Sequence, residues 1–108
     1  MRVEVKTVGA FSAEPSAVSR SESESFRRLE RTIRSISPDA IVAPYLVVVV
    51  TDARHYGGLS RDVFRFLPLR LTARDLDRMH GTDERIAVPH YEDAIRTYRR
   101  LILNAAGS

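Results

Sequence analysis

The chain has 108 residues and a mass of 12.2 kDa, the size of one small domain. Its 44% hydrophobic and 29% charged residues exclude a disordered tail, a collagen-like chain and a coiled coil, and the absence of cysteine excludes disulfides and cysteine-bound metals. The net charge is +3, but the arginines alternate with Asp and Glu instead of clustering as phosphate binding requires, so no nucleic-acid partner is expected.

Residues 2–8 alternate polar and apolar, with Val3 and Val5 opposite Glu4 and Lys6, which predicts a strand. Residues 9–21 hold Gly9, Pro15 and several serines without periodicity. They read as a long connection of the kind that joins two subdomains. A helix is predicted over 23–36, opened by a capping box of Ser21 with Glu24. Phe26, Leu29, Ile33 and Ile36 form its apolar stripe, and Ser37-Pro38-Asp39 stops it.

Residues 40–50 are apolar nearly throughout and rich in β-branched side chains, ending in Val47–Val50. Such a run suits a strand covered on both faces. A short helix follows over 52–60, weakened by Gly57-Gly58. Residues 62–68 read as a further strand, with Pro68 marking an edge or bend. Thr72 and Asp75 resemble a second capping box, opening a helix over 73–80 that Gly81 ends. A last amphipathic helix is predicted over 90–105, with Tyr91, Ala94, Ile95, Tyr98, Leu101 and Ile102 on one stripe and Pro89 near its start. Helices and strands alternate, so the expected class is α/β. The longest apolar run is strand-sized, well short of the roughly 20 residues of a membrane helix. With no signal-peptide core at the start, no membrane contact and a cytoplasmic location are expected.

Two stretches can hold chemistry. The first is the apolar run that leads into Thr51-Asp52-Ala53-Arg54-His55-Tyr56. Ligands in open α/β sheets bind beyond the carboxyl ends of strands, helix-terminal amides favour anions, and Arg54 can clamp a carboxylate. The same residues also serve as a plain helix cap with a surface arginine. The second is Met79-His80-Gly81-Thr82-Asp83-Glu84-Arg85-Ile86. A neutral His80 imidazole can ligate a metal with Asp83 or Glu84 beside it, but a zinc site takes three or four protein ligands. A helix-terminal histidine facing the dipole is the other reading of His80. His55 and His90 are weaker candidate donors.

Pro44-Tyr45-Leu46-Val47-Val48, Thr51-Asp52-Ala53-Arg54-His55-Tyr56, Phe66-Leu67-Pro68-Leu69 and His80-Gly81-Thr82-Asp83-Glu84-Arg85-Ile86 occur in one order. Together they resemble the C-terminal part of the zinc exopeptidases of the aminoacylase, carboxypeptidase S and acetylornithine deacetylase type. The resemblance covers roughly residues 1–105. It implies an α/β fold of three layers with a mostly buried sheet, preceded by the last strand of a lid domain. Residues 1–8 would end the lid (dimerisation) domain, 9–21 connect, and 22–108 form the C-terminal part of the catalytic domain.

The resemblance also implies a hydrolase that cleaves amide bonds of peptides or N-acyl amino acids with two zinc ions bridged by an Asp. His80 matches a zinc ligand, while Thr51, Asp52 and Arg54 match the substrate end of the site. The family's His-x-Asp motif, its Glu-Glu pair and its general base have no counterpart in the chain. Val49 and Val50 stand where many relatives have glycine, and Asp83 where Asn is common. The expectation is a chain inactive alone, binding zinc weakly at most and self-associating through an uncovered sheet. The alternative is a non-catalytic small α/β interaction domain.

Overall fold

The structure, a computed structural model, describes residues 3, 4, 6 and 15–107. Helix α1 spans Glu24–Ile36, a 3₁₀ turn spans Asp52–Tyr56, α2 is a single turn at Ala73–Leu76, and α3 spans Val88–Ala106. No strand occurs among the described residues. The Cα radius of gyration is 16.9 Å, well above the value of about 13 Å for a compact domain of this length.

Helix α1 forms where its cap and charges favour it. The Ser23 hydroxyl accepts from the Phe26 amide at 3.2 Å, which satisfies one of the orphan donors of the first turn. The cap therefore lies two residues beyond the expected Ser21, whose hydroxyl instead donates to the Glu22 carboxylate. Glu24 and Glu30 pair with Arg31 and Arg34 along the exposed face. The helix stops at Ser37, whose amide closes on the Ile33 carbonyl before Pro38.

Helix α3 begins two residues earlier than expected. Ala87 is extended and Pro89 lies in the first turn, where its missing N–H and fixed φ carry no penalty. The helix closes with the Gly107 amide on the Leu103 carbonyl.

The core is the contact of α1 with α3. Leu29 and Ala94 are the buried apolar residues among those described, joined by buried Thr32 and Thr97. Both threonine hydroxyls donate to their own helix, to the carbonyls of Arg28 and Asp93, so neither is an unpaired polar group. This packing divides the apolar stripe expected on α3. Ala94, Leu101 and Asn104 turn inward, while Tyr91, Ile95, Tyr98 and Ile102 stay exposed.

The three-layer α/β architecture with a buried sheet is overturned by these helices, and the reason lies in pairing. Residues 41–50 have strand composition, but Ile41 is 93% exposed and Val48 and Val50 are about as open. A strand exists only by hydrogen bonding to a neighbour, and no neighbour lies beside this segment among the described residues. The strand expected at 62–68 is also absent. Both backbone groups of Val63 bond to the Ser19 hydroxyl, the Phe66 carbonyl accepts from the Tyr98 hydroxyl, and Leu69 turns back on Leu67. Side chains thus take the bonds that a ladder would use. The strand expected at 2–8 falls largely outside the described residues, and Val3, Glu4 and Lys6 are not in a strand.

The 62–70 segment is nonetheless held in place. Asp62 accepts from the backbone and guanidinium of Arg20 at 2.6–3.2 Å. Phe64 meets Phe26 with ring centroids 5.6 Å apart, a favourable tilted contact. Arg70 reaches Asp39 and Ser37 just beyond α1. No described helix is long and apolar enough to cross a membrane.

Candidate functional site

Thr51, Asp52 and Arg54 all belong to one short 3₁₀ turn that ends the exposed apolar run. Thr51 is extended, and its hydroxyl accepts from the Ala53 amide at 3.3 Å and from Arg65 Nε at 3.1 Å. Arg65 also donates to Ser16, so it ties the turn to the segment before α1. Asp52 is exposed in the first turn. Arg54 Nε donates to His55 Nε2 at 3.1 Å. The helix expected over 52–60 is thus one 3₁₀ turn, with Gly57-Gly58 beyond it. A turn this short offers few free amides, and Arg54 is the group with charge and reach to meet an anion there.

His80 lies on a different loop. Helix α2 is opened by the expected box: the Asp75 carboxylate accepts from the Thr72 amide at 2.8 Å and from its hydroxyl at 2.7 Å. The Thr72 hydroxyl and amide, aided by Arg78, hold the Asp75 carboxyl below its usual value. The helix expected to 80 unwinds after Leu76 into turns. Two non-glycine residues of this loop are left-handed, His80 at φ 59° and Asp83 at φ 68°. His and Asp tolerate this region better than most residues, at a cost of about 1–2 kcal/mol each. Gly81 closes the turn, with its amide on the Arg78 carbonyl. A Cβ at Gly81 would lie 3.4–3.5 Å from the carbonyls of Arg78 and Asp77.

The His80 side chain is exposed. His90 sits in the first turn of α3 and lines a mainly apolar cleft of about 240 Å³ with Ile33, Ile36, Phe66 and Asp93. None of Thr51, Asp52, Arg54 and His80 lines that cleft. No group of three or more His, Asp or Glu side chains able to hold a metal occurs among the described residues. Among the described residues, therefore, no donor set completes a zinc site around His80. Asp83, one of the two acids expected beside His80, is engaged elsewhere, with Arg85 at 3.2 Å and Arg78 at 3.9 Å.

Two residues important to these loops escape a motif reading. Arg65 supports Thr51 and Arg78 bridges the His80 loop. Only Arg78 leaves a local signal, its i,i+3 spacing from Asp75 on a helix.

Comparison with known proteins settles the family. The chain is 43% identical over 91 residues to a probable carboxypeptidase S-like protein of Dictyostelium discoideum, a match covering 84% of the chain and 18% of the relative. It is 36% identical over 105 residues to an N-fatty-acyl-amino acid synthase/hydrolase of Xenopus tropicalis, covering 96% of the chain and 20% of the relative. The mouse protein of that name is 31% identical over 105 residues, covering 96% of the chain and 21% of its own length. The chain belongs to the carboxypeptidase S-like peptidase family. It spans about a fifth of the length of these curated relatives. No family model matches the chain, and no solved structure matches it.

Proposed function

We propose that this chain acts as the C-terminal part of the catalytic unit of a zinc-dependent hydrolase that cleaves amide bonds of peptides or N-acyl amino acids. Residues 1–8 belong to its lid, 9–21 form the return, and 22–108 close the catalytic domain. His80 supplies one zinc ligand. Thr51, Asp52 and Arg54 form the substrate end, where Arg54 meets the carboxylate of the amino-acid product half. Zinc would polarise the scissile carbonyl. The chain's own part is to present the His80 imidazole and to orient the substrate through Arg54.

The observation that supports this reading best is the match over 96% of the chain to proteins named as N-fatty-acyl-amino acid synthase/hydrolases. Catalysis needs a metal site and a base positioned at the reacting water, and no group of three or more side chains able to hold a metal occurs among the described residues. No turnover is expected of the chain by itself.

The test is zinc titration and assay of N-acyl amino acid turnover with this chain, repeated on His80→Ala. Weak zinc binding that falls in His80→Ala, without turnover, is expected. Tight binding of two zinc ions with turnover would overturn the reading. In a full-length enzyme carrying this segment, Arg54→Ala should raise KM by about tenfold or more, the loss of one charge-assisted clamp. Unchanged kinetics with lowered stability would make Arg54 structural.

A further inference from the structure

The loop that carries His80 is bridged by a single guanidinium. Arg78 Nη1 lies 3.3 Å from Asp75 Oδ1, and its Nε lies 3.9 Å from Asp83 Oδ2. Asp75 is fixed from the other side by Thr72, and Asp83 is held by Arg85 at 3.2 Å. Thr72, Asp75, Arg78, Asp83 and Arg85 thus form one chain of contacts across residues 79–82. The Arg78 and Asp75 side chains are only 30% and 27% exposed, so this end of the bridge is better shielded than the open pairs on α1, while Asp83 at the other end is exposed. The residues it encloses include His80, and both left-handed residues of the loop, His80 and Asp83, lie within or at its ends. Two such residues persist only where the surroundings over-determine them. Besides the bridge, the loop is tied by two backbone bonds, the Met79 amide on the Leu76 carbonyl and the Gly81 amide on the Arg78 carbonyl, and neither involves His80 or Asp83.

We propose that Arg78 is a positioning residue for His80. By joining Asp75 to Asp83 across the turn, its guanidinium holds the loop in the left-handed form that presents the imidazole to solvent. Asp83 has two parts in this. Its short side chain tolerates positive φ, and its charge draws in both Arg78 and Arg85. The proposal rests on the reading of His80 as a metal donor, but its own evidence is conformational.

The test uses NMR on the full chain. Positive φ at His80 and Asp83 is read from intraresidue amide–Hα distances and one-bond Cα–Hα couplings, with zinc alone as the probe of the imidazole. In Arg78→Gln the left-handed population at His80 should fall by about two- to fivefold, the scale on which such ion pairs act. Asp83→Asn should loosen His80 while residue 83 itself stays left-handed, which keeps the proposal testable if Arg78→Gln does not fold. Arg74→Gln, which removes a charge from the same helix outside the bridge, should change nothing. Retention of positive φ at His80 in both bridge variants would overturn the proposal, as would an equal loss in Arg74→Gln. A His80 ring that ignores zinc in the unaltered chain, while Arg78→Gln still releases the loop, would overturn the donor reading and leave the bridge standing.

Discussion

The Asn104 side-chain amide donates to the Thr32 hydroxyl at 3.0 Å, across 72 positions of sequence. Thr32 is fully buried and its hydroxyl donates to the Arg28 carbonyl, so this polar contact lies within the α1–α3 interface. Thr32→Val keeps the shape and strands the Asn104 amide. The expected loss is about 1 kcal/mol, the net contribution of a hydrogen bond whose donor is only partly buried. Thr32→Val with Asn104→Leu should recover part of that loss. Denaturant unfolding of the single and double variants checks the coupling, and simple additivity would show that the bond contributes nothing of its own.

Acid should release the 62–70 segment late. Arg20 bonds the Asp62 carboxylate through its guanidinium and backbone, holding the carboxyl at about 2 against an ordinary 3.8. A depressed folded value means that Asp62 contributes stability above its ordinary value, and that this contribution is lost as pH falls from about 3.8 through about 2. Arg20→Gln should flatten the stability profile in that window. The amide signals of Val63 and Phe64, followed in an acid titration, report it directly.

Removing the Ser23 cap should cost about 1 kcal/mol, since its hydroxyl holds the Phe26 amide. Ser21→Ala should cost much less, because the Ser21 hydroxyl bonds to the exposed Glu22 and not to a helix amide. Thermal melts of the two variants distinguish the cap assignments, and the reverse ranking would return the cap to Ser21.

The open apolar run at 41–50 should make the chain self-associate. Ile41, Tyr45, Leu46, Val48, Val49 and Val50 are each more than 60% exposed, and an unpaired apolar segment invites edge pairing with another copy. Light scattering should show mass rising with concentration, and Val48→Lys with Val50→Lys should abolish the rise. A monomer at all concentrations with a cooperative, high-temperature melt would contradict it.

Much of the helical framework was readable residue by residue. The stripe Phe26, Leu29, Ile33, Ile36, the Thr72–Asp75 box and Pro89 near a helix start each act within one or two turns, so local sequence determined α1, α2 and α3. The family was readable too, because the wording around Thr51–Tyr56 and His80–Ile86 is itself the signal. The cap of α1 was misplaced by two residues, since Ser21, Ser23 and Ser25 all have cap chemistry and only packing selects among them.

Tertiary structure alone decided the rest. Val47–Val50 has the composition of a buried strand, but composition cannot supply the neighbour whose backbone makes a strand, and among the described residues none is there. Thr32 and Thr97, polar by sequence, became the buried centre because a small side chain that bonds its own helix lets α1 and α3 approach. Arg65 at Thr51 depends on a contact across 14 positions that no motif spacing encodes, and Arg78 leaves only its spacing from Asp75. Hydrogen bonds and burial between distant segments are properties of the folded arrangement, and these decided what covers, or leaves open, each face that the sequence had prepared.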